Sequence, residues 1–172
     1  MQEGGFLGWL TRTPVLWFFF IAFILIGVGF YFVQQASGGP LLDTMMNGDD
    51  AIIRLVEMTP DQKQAHFRGT VLLDTLYPVS YFGAIGGLSA RLAGKWRIWA
   101  LLPITFTLVV DFIENIAQAM ALWGRPAEVL LVKDIVTPLK FGGLMTGIIL
   151  LLLLIMIAWM RRSAARREKT ND

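Results

Sequence analysis

The sequence predicts an all-α fold: a four-helix transmembrane bundle with a short amphipathic helix in its first external loop. Three observations predict it. Of the 172 residues, 55% are hydrophobic, more than a soluble domain of this length can bury. Those residues fall in long unbroken blocks instead of an amphipathic alternation, which is the membrane signature. Turn and cap residues divide the blocks into four spans, about 15–33, 70–92, 98–123 and 136–160, within a single domain of residues 1–160. A basic tail, 161–172, follows. The formal net charge of +2 is too small to point to nucleic acid, and the absence of cysteine excludes disulfides and thiolate metal sites.

The first span follows Pro14 and runs from Val15 to Val33 without a polar side chain in its middle. At ~1.5 Å per residue it covers nearly 30 Å. The residues after it, Gln34-Gln35-Ala36-Ser37-Gly38, fit a small-x-small cleavage site poorly, so the span reads as an uncleaved wall facing lipid and its neighbours. Gly38-Gly39-Pro40 ends it. Asn47-Gly48-Asp49-Asp50 supplies N-caps for a short helix through Met58, with Ile52, Leu55 and Val56 on one side. That helix is expected at the membrane surface or over the mouth of the bundle. Thr59-Pro60-Asp61-Gln62 is a helix start with a capping box.

The helix begun there should run unbroken into the second span. His66, Thr70, Asp74, Tyr77 and Tyr81 form one polar stripe along it, at steps of three and four residues. Pro78 has no N–H, so the carbonyl of Asp74 loses its donor and a kink is expected. Gly83-x-x-x-Gly87 permits close helix approach. Arg91, Lys95 and Arg97 make a basic loop. In the third span, Thr107, Asp111, Glu114, Asn115 and Gln118 share one helix face. Gly124-Arg125-Pro126 ends it, a brief helical turn covers 127–134, and the fourth span carries Pro138, Lys140 and Gly143-x-x-x-Gly147. The tail reads as frayed.

Four spans put both termini on one side. With the 91–97 loop and the tail, that side holds nine Lys/Arg and three acids, against six and seven on the other. The positive-inside rule therefore makes the chain a multi-pass plasma (inner) membrane protein with cytoplasmic termini and an external or periplasmic 34–68 loop. Counting ~1.5 Å per residue inward from the outer ends, Asp74, Gln118 and Lys140 fall at a similar level, with Asp111 nearest the midplane.

Charged and amide groups inside a membrane are costly and must face protein or water. Asp74, Tyr77, Tyr81, Asp111, Glu114, Asn115, Gln118 and Lys140 are therefore the candidate ligand-binding residues, lining a polar pocket that opens outward. Asp111 and Glu114 stand one turn apart with no cation on their own helix, so they are expected to share a proton and are the candidate catalytic pair. Asp74 with Lys140 is expected to form a charge pair at the mouth. His66 reads as a surface histidine. No zinc site is readable without cysteine or a second histidine, and no metal or cofactor is assigned. An oxygen-rich site for a hard cation, from Asp74, Asp111, Glu114 and Asn115, is the weaker reading beside it.

Asp74-x-x-Tyr77-Pro78-x-x-Tyr81 paired with Asp111-x-x-Glu114-Asn115 resembles a group of uncharacterised bacterial membrane proteins of about this length. The resemblance covers most of residues 40–123. It implies four spans and an external first loop leading into the D-x-x-Y-P helix; His66 stands where that pattern has an aromatic residue. It picks out the same residues and implies no activity. From the residues themselves, the leading expectation is binding of a small ligand or cation in the polar pocket, with proton-coupled transfer as its extension. An enzyme acting on a lipid or isoprenoid through Asp111 or Glu114 is the first alternative, favoured by a lateral gap between helices. The second is an accessory or assembly subunit of a membrane complex, favoured by close packing without a cavity. The bilayer is the one partner implied, with a lipid or small molecule as the other candidate.

Overall fold

Where backbone cannot hydrogen-bond to water it must pair within its own segment, and helices do this. The computed structural model describes residues 5–171, and all regular elements among them are helical. They are α1 (Phe6–Leu10), α2 (Thr13–Ala36), α3 (Gly48–Glu57), α4 (Pro60–Gly69), α5 (Thr75–Tyr81), α6 (Gly87–Ala93), α7 (Arg97–Leu122) and α8 (Lys133–Asn171). By length and composition, three helical stretches are apolar enough to cross a membrane: Thr13–Ala36, Pro60–Leu122 and Ala127–Ala164.

The middle stretch is 63 residues long, and it doubles back on itself. Gly94 takes φ +58°, a left-handed conformation that suits glycine, and a 3₁₀ turn over Gly94–Trp96 reverses the chain. Side chains then meet in antiparallel order across the hairpin. Asn115 reaches Asp74, Tyr81 reaches Asp111, and Gly86 lies against Ile104 and Leu101.

The local signals work as the residues require. Asn47 caps α3 by accepting the N–H of Asp50 at 2.8 Å. Thr59 Oγ1 and Gln62 complete the capping box of α4. Two features go beyond these local signals. Around Pro78 the helix carries π-helical turns on either side of α5, over Thr70–Asp74 and Phe82–Gly86, within one continuous helical stretch of α4, α5 and α6. Each such turn takes in one extra residue and re-aims the side chains beyond it. The tail is not frayed: α8 continues to Asn171, and Asp172 lies outside the described residues.

No residue of α2 is buried, and the apolar second half of α8 is largely exposed, as hydrocarbon-facing surfaces are. The glycines permit close packing of the rods. A Cβ at Gly83 would fall on the Phe19 ring, and one at Gly143 on Thr107 and Phe106. Two apolar clusters form between the rods. The one nearer the α6–α7 turn joins Leu10, Tyr81, Ala90, Leu101 and Ile104. The other joins Leu42, Ala51, Leu55 and Met58 to Ala121, Leu122 and Leu130, so α3 and the Leu42–Thr44 turn lie across the far end of α7. The packed side of α3 is Ala51, Ile52, Leu55 and Met58. Val56, expected with them, is 71% exposed, because 51, 55 and 58 share the inward face at steps of four and three.

Candidate functional site

Between the two apolar clusters lies a buried polar layer. α7 contributes Asp111, Glu114, Asn115 and Gln118, all buried. Glu114 has no exposed surface. Its Oε1 accepts from Thr137 Oγ1 at 2.7 Å and from the ammonium of Lys133, while Oε2 lies 2.6 Å from Lys140 Nζ, off the hydrogen-bonding angle. Lys140 also pairs with Asp43 and stands 3.6 Å from Asp111 Oδ1. Tyr81 donates to Asp111 Oδ2 at 2.8 Å.

Asp74 is buried on the π turn before α5. Its carbonyl, freed by Pro78, accepts from Asn115 Nδ2 at 2.6 Å. One oxygen each from Asp43, Asp74 and Asp111 lie within 4.8 Å of one another. Oxygens so spaced can all reach one hard cation at about 2.3–2.6 Å. A cavity of about 10 Å³, room for about one water, is lined by Asp74, Thr70 and His66. Asn115 Oδ1 and both polar atoms of Gln118 are buried without a protein partner.

Three expectations are corrected here. Lys140 does not pair with Asp74. α8 packs along α7, so its ammonium meets the α7 carboxylates and, from the loop, Asp43. Asp111 and Glu114 have no cation on their own helix, as expected, but α8 brings two: the ammoniums of Lys133 and Lys140 both reach Glu114, so the carboxylates do not stand as an isolated pair. His66 is not a surface residue. It is 2% exposed, and its Nε2 accepts the N–H of Leu42 at 3.3 Å, which puts its own proton on Nδ1.

Tyr77 and Tyr81 also divide. Tyr81 is hydrogen-bonded into the site, whereas the Tyr77 ring stacks on Phe23, centroids 4.9 Å apart, with no hydrogen bond from its hydroxyl among the described residues. The sequence reading missed Lys133, Thr137 and Asp43 as members. For the first two a signal existed: Lys133, Thr137 and Lys140 stand at i, i+4 and i+7, one face of α8. Asp43 sits on a 3₁₀ turn with no period to reveal it.

The site is enclosed. The Leu42–Thr44 turn and α3 cover it on one side and the Tyr81–Leu101–Ile104 cluster on the other. A lateral groove between α7 and α8 is lined by apolar residues and Thr146, and no carboxylate reaches it. The chain matches no family model, no curated protein and no solved structure.

Proposed function

We propose that this is a four-span membrane protein whose enclosed polar layer holds a small hard cation or the protons that replace it. One observation carries the reading. Four carboxyl groups, three of them buried (Asp74, Asp111 and Glu114) and one, Asp43, partly exposed at the edge, face two buried ammoniums, Lys133 and Lys140. The next cation outward, Arg54, donates to the carbonyls of Ser37 and Pro40. Two negative charges left over in a low-dielectric interior must be compensated. The oxygens of Asp43, Asp74 and Asp111 have the spacing to do it with one ion; Asn115, whose amide N–H₂ donates to the Asp74 carbonyl, keeps a buried side-chain oxygen without a protein partner. Lys140 acts as a tethered counter-ion shared between this triad and Glu114. In this arrangement the spans are α2, the α4–α6 rod, α7 and α8, with cytoplasmic termini and α3 external. The D-x-x-Y-P and D-x-x-E-N motifs, which suggest the bacterial membrane group, meet here through the Asn115–Asp74 and Tyr81–Asp111 bonds.

The test uses the detergent-solubilised chain in weak buffer with a pH-sensitive dye. Addition of Na⁺, K⁺, Mg²⁺ or Ca²⁺ should release protons or raise the melting temperature for at least one ion. Asp74→Asn combined with Asp111→Asn should abolish both responses. If no ion does either with the wild-type chain, the reading fails. A second reading, an accessory subunit whose polar layer only locks the bundle, is favoured by the size of the cavity beside Asp74, about 10 Å³, which is too small for an organic ligand. It predicts that the same double variant melts higher than wild type whatever the salt, since it removes two uncompensated buried charges.

A further inference from the structure

A second site lies at the opposite end of the bundle, where the turn between α6 and α7 meets the last apolar turns of α8. A cavity of about 690 Å³ opens there. Its floor is hydrocarbon, from Leu92, Leu154 and Ile157, and its rim is cationic, from Lys95, Arg161 and Arg162. No carboxylate lines it. Among the described residues none of the three cations forms a salt bridge, and the Lys95 ammonium lies 5.6 Å from the ring of its neighbour Trp96. Arg91, one turn away, is by contrast tied to Thr13. Trp96 and Trp159, 60% and 68% exposed, stand at the same level as indole side chains do where headgroups begin.

Three unpaired cations above an apolar floor have a defined complement: a diffuse anion attached to a hydrocarbon chain. We propose that this cavity binds an anionic phospholipid of the cytoplasmic leaflet, its phosphate held by Lys95, Arg161 and Arg162 and the start of an acyl chain lying along Leu154 and Ile157. Basic cavities between helices on the cytoplasmic side take such headgroups, and each Lys or Arg at an anionic surface adds to the attraction. The inference rests on the membrane reading but not on the carboxylate layer, so either can fail alone.

Native mass spectrometry of the whole chain, released from detergent with defined lipids, tests it. Phosphatidylglycerol or cardiolipin should be retained at least tenfold more than phosphatidylethanolamine. Lys95→Gln with Arg161→Gln and Arg162→Gln should remove that preference while leaving the melting temperature in lipid-free detergent unchanged. The charge-keeping set K95R, R161K and R162K should retain the preference, which guards against a merely misfolded variant. Equal retention of the three lipids by wild type, or an unchanged preference in the Gln triple variant, overturns the proposal. So does stabilisation by inorganic phosphate as strong as that by the anionic lipids, which would leave a phosphate site with no role for the acyl chain.

Discussion

Replacing Glu114 by Gln keeps its shape and removes one charge, and the structure sets what that does. Lys133 is fully buried, and Glu114 is its one ion-pair partner among the described residues. Glu114→Gln therefore leaves an ammonium in a dry interior with only amide and hydroxyl neighbours. Breaking a buried pair from one side costs about 3–5 kcal/mol. Lys133→Met is milder, because Glu114 keeps Lys140 at 2.6 Å and Thr137 at 2.7 Å; the lower end, about 3 kcal/mol, is expected. The double variant removes both charges and fills the space with a side chain of similar length. Its loss should be no more than roughly 1–2 kcal/mol, since apolar replacement of a buried pair is often neutral. The cycle then gives a coupling of about 4 kcal/mol or more. For a chain of this size each kcal/mol moves the melting temperature by roughly 2–4 °C, so Glu114→Gln should melt about 10 °C low and the double variant close to wild type. Thermal unfolding in detergent, followed by tryptophan fluorescence, measures all four proteins. A double variant no more stable than Glu114→Gln alone would refute the reasoning, since Lys133 would then not depend on Glu114.

Three further outcomes follow from single contacts. His66→Ala removes the acceptor of the buried Leu42 N–H and should cost about 1–3 kcal/mol in the same melts, whereas His66→Gln, whose amide oxygen can still accept from Leu42, should recover part of that loss; equal melting temperatures for wild type and His66→Ala would contradict this. Asn115→Ala leaves the Asp74 carbonyl without its donor and should cost about 1–3 kcal/mol in the same melts, and Asn115→Asp, which lacks the N–H, should not restore it. Gly83→Ala drives a methyl into the Phe19 ring and should cost about 1–3 kcal/mol, whereas Gly142→Ala, with nothing within 4 Å of its Cβ, should melt no lower than wild type.

The helices were legible in the sequence because hydrocarbon leaves few choices. Apolar runs of spanning length, a capping box at Thr59 and an N-cap at Asn47 act locally, and local signals survive folding. The helix faces of α7 and of the α4–α6 rod were legible for the same reason. Asp111, Glu114, Asn115 and Gln118 share one face by spacing alone, and Pro78 marks Asp74 as a residue with a carbonyl to give away. Partners across helices were not legible. Lys140 was assigned to Asp74 by depth, but depth is one coordinate, and rotation about each helix axis is another. Only the packing of α8 along α7 decides that Lys140 turns to Glu114, Asp111 and Asp43. Lys133 stood at the edge of a polar turn and was counted with the loop, although its spacing to Thr137 and Lys140 was already that of a helix face. His66 was misplaced because the cover over it comes from a distant loop, through Leu42.

That loop decides how the carboxylate layer communicates with its surroundings. On the side of the α6–α7 turn the layer is closed by side chains from three different rods, Tyr81, Ile104 and Leu144, which have no polar groups to release except the Tyr81 hydroxyl already bound to Asp111. On the other side the closure is the three-residue turn Leu42–Thr44 together with α3, held by the apolar cluster of Leu42 with Ala51, Leu55, Met58 and Leu130, by the bond from Leu42 to His66 and by the Asp43–Lys140 pair. Asp43 is also the least covered carboxylate of the group, with 27% of its side chain exposed. Under the proposed cation reading, an ion would exchange most easily by displacement of this turn, and Asp43, the one carboxylate of the group that the loop supplies, would move away from Asp74 and Asp111 with it.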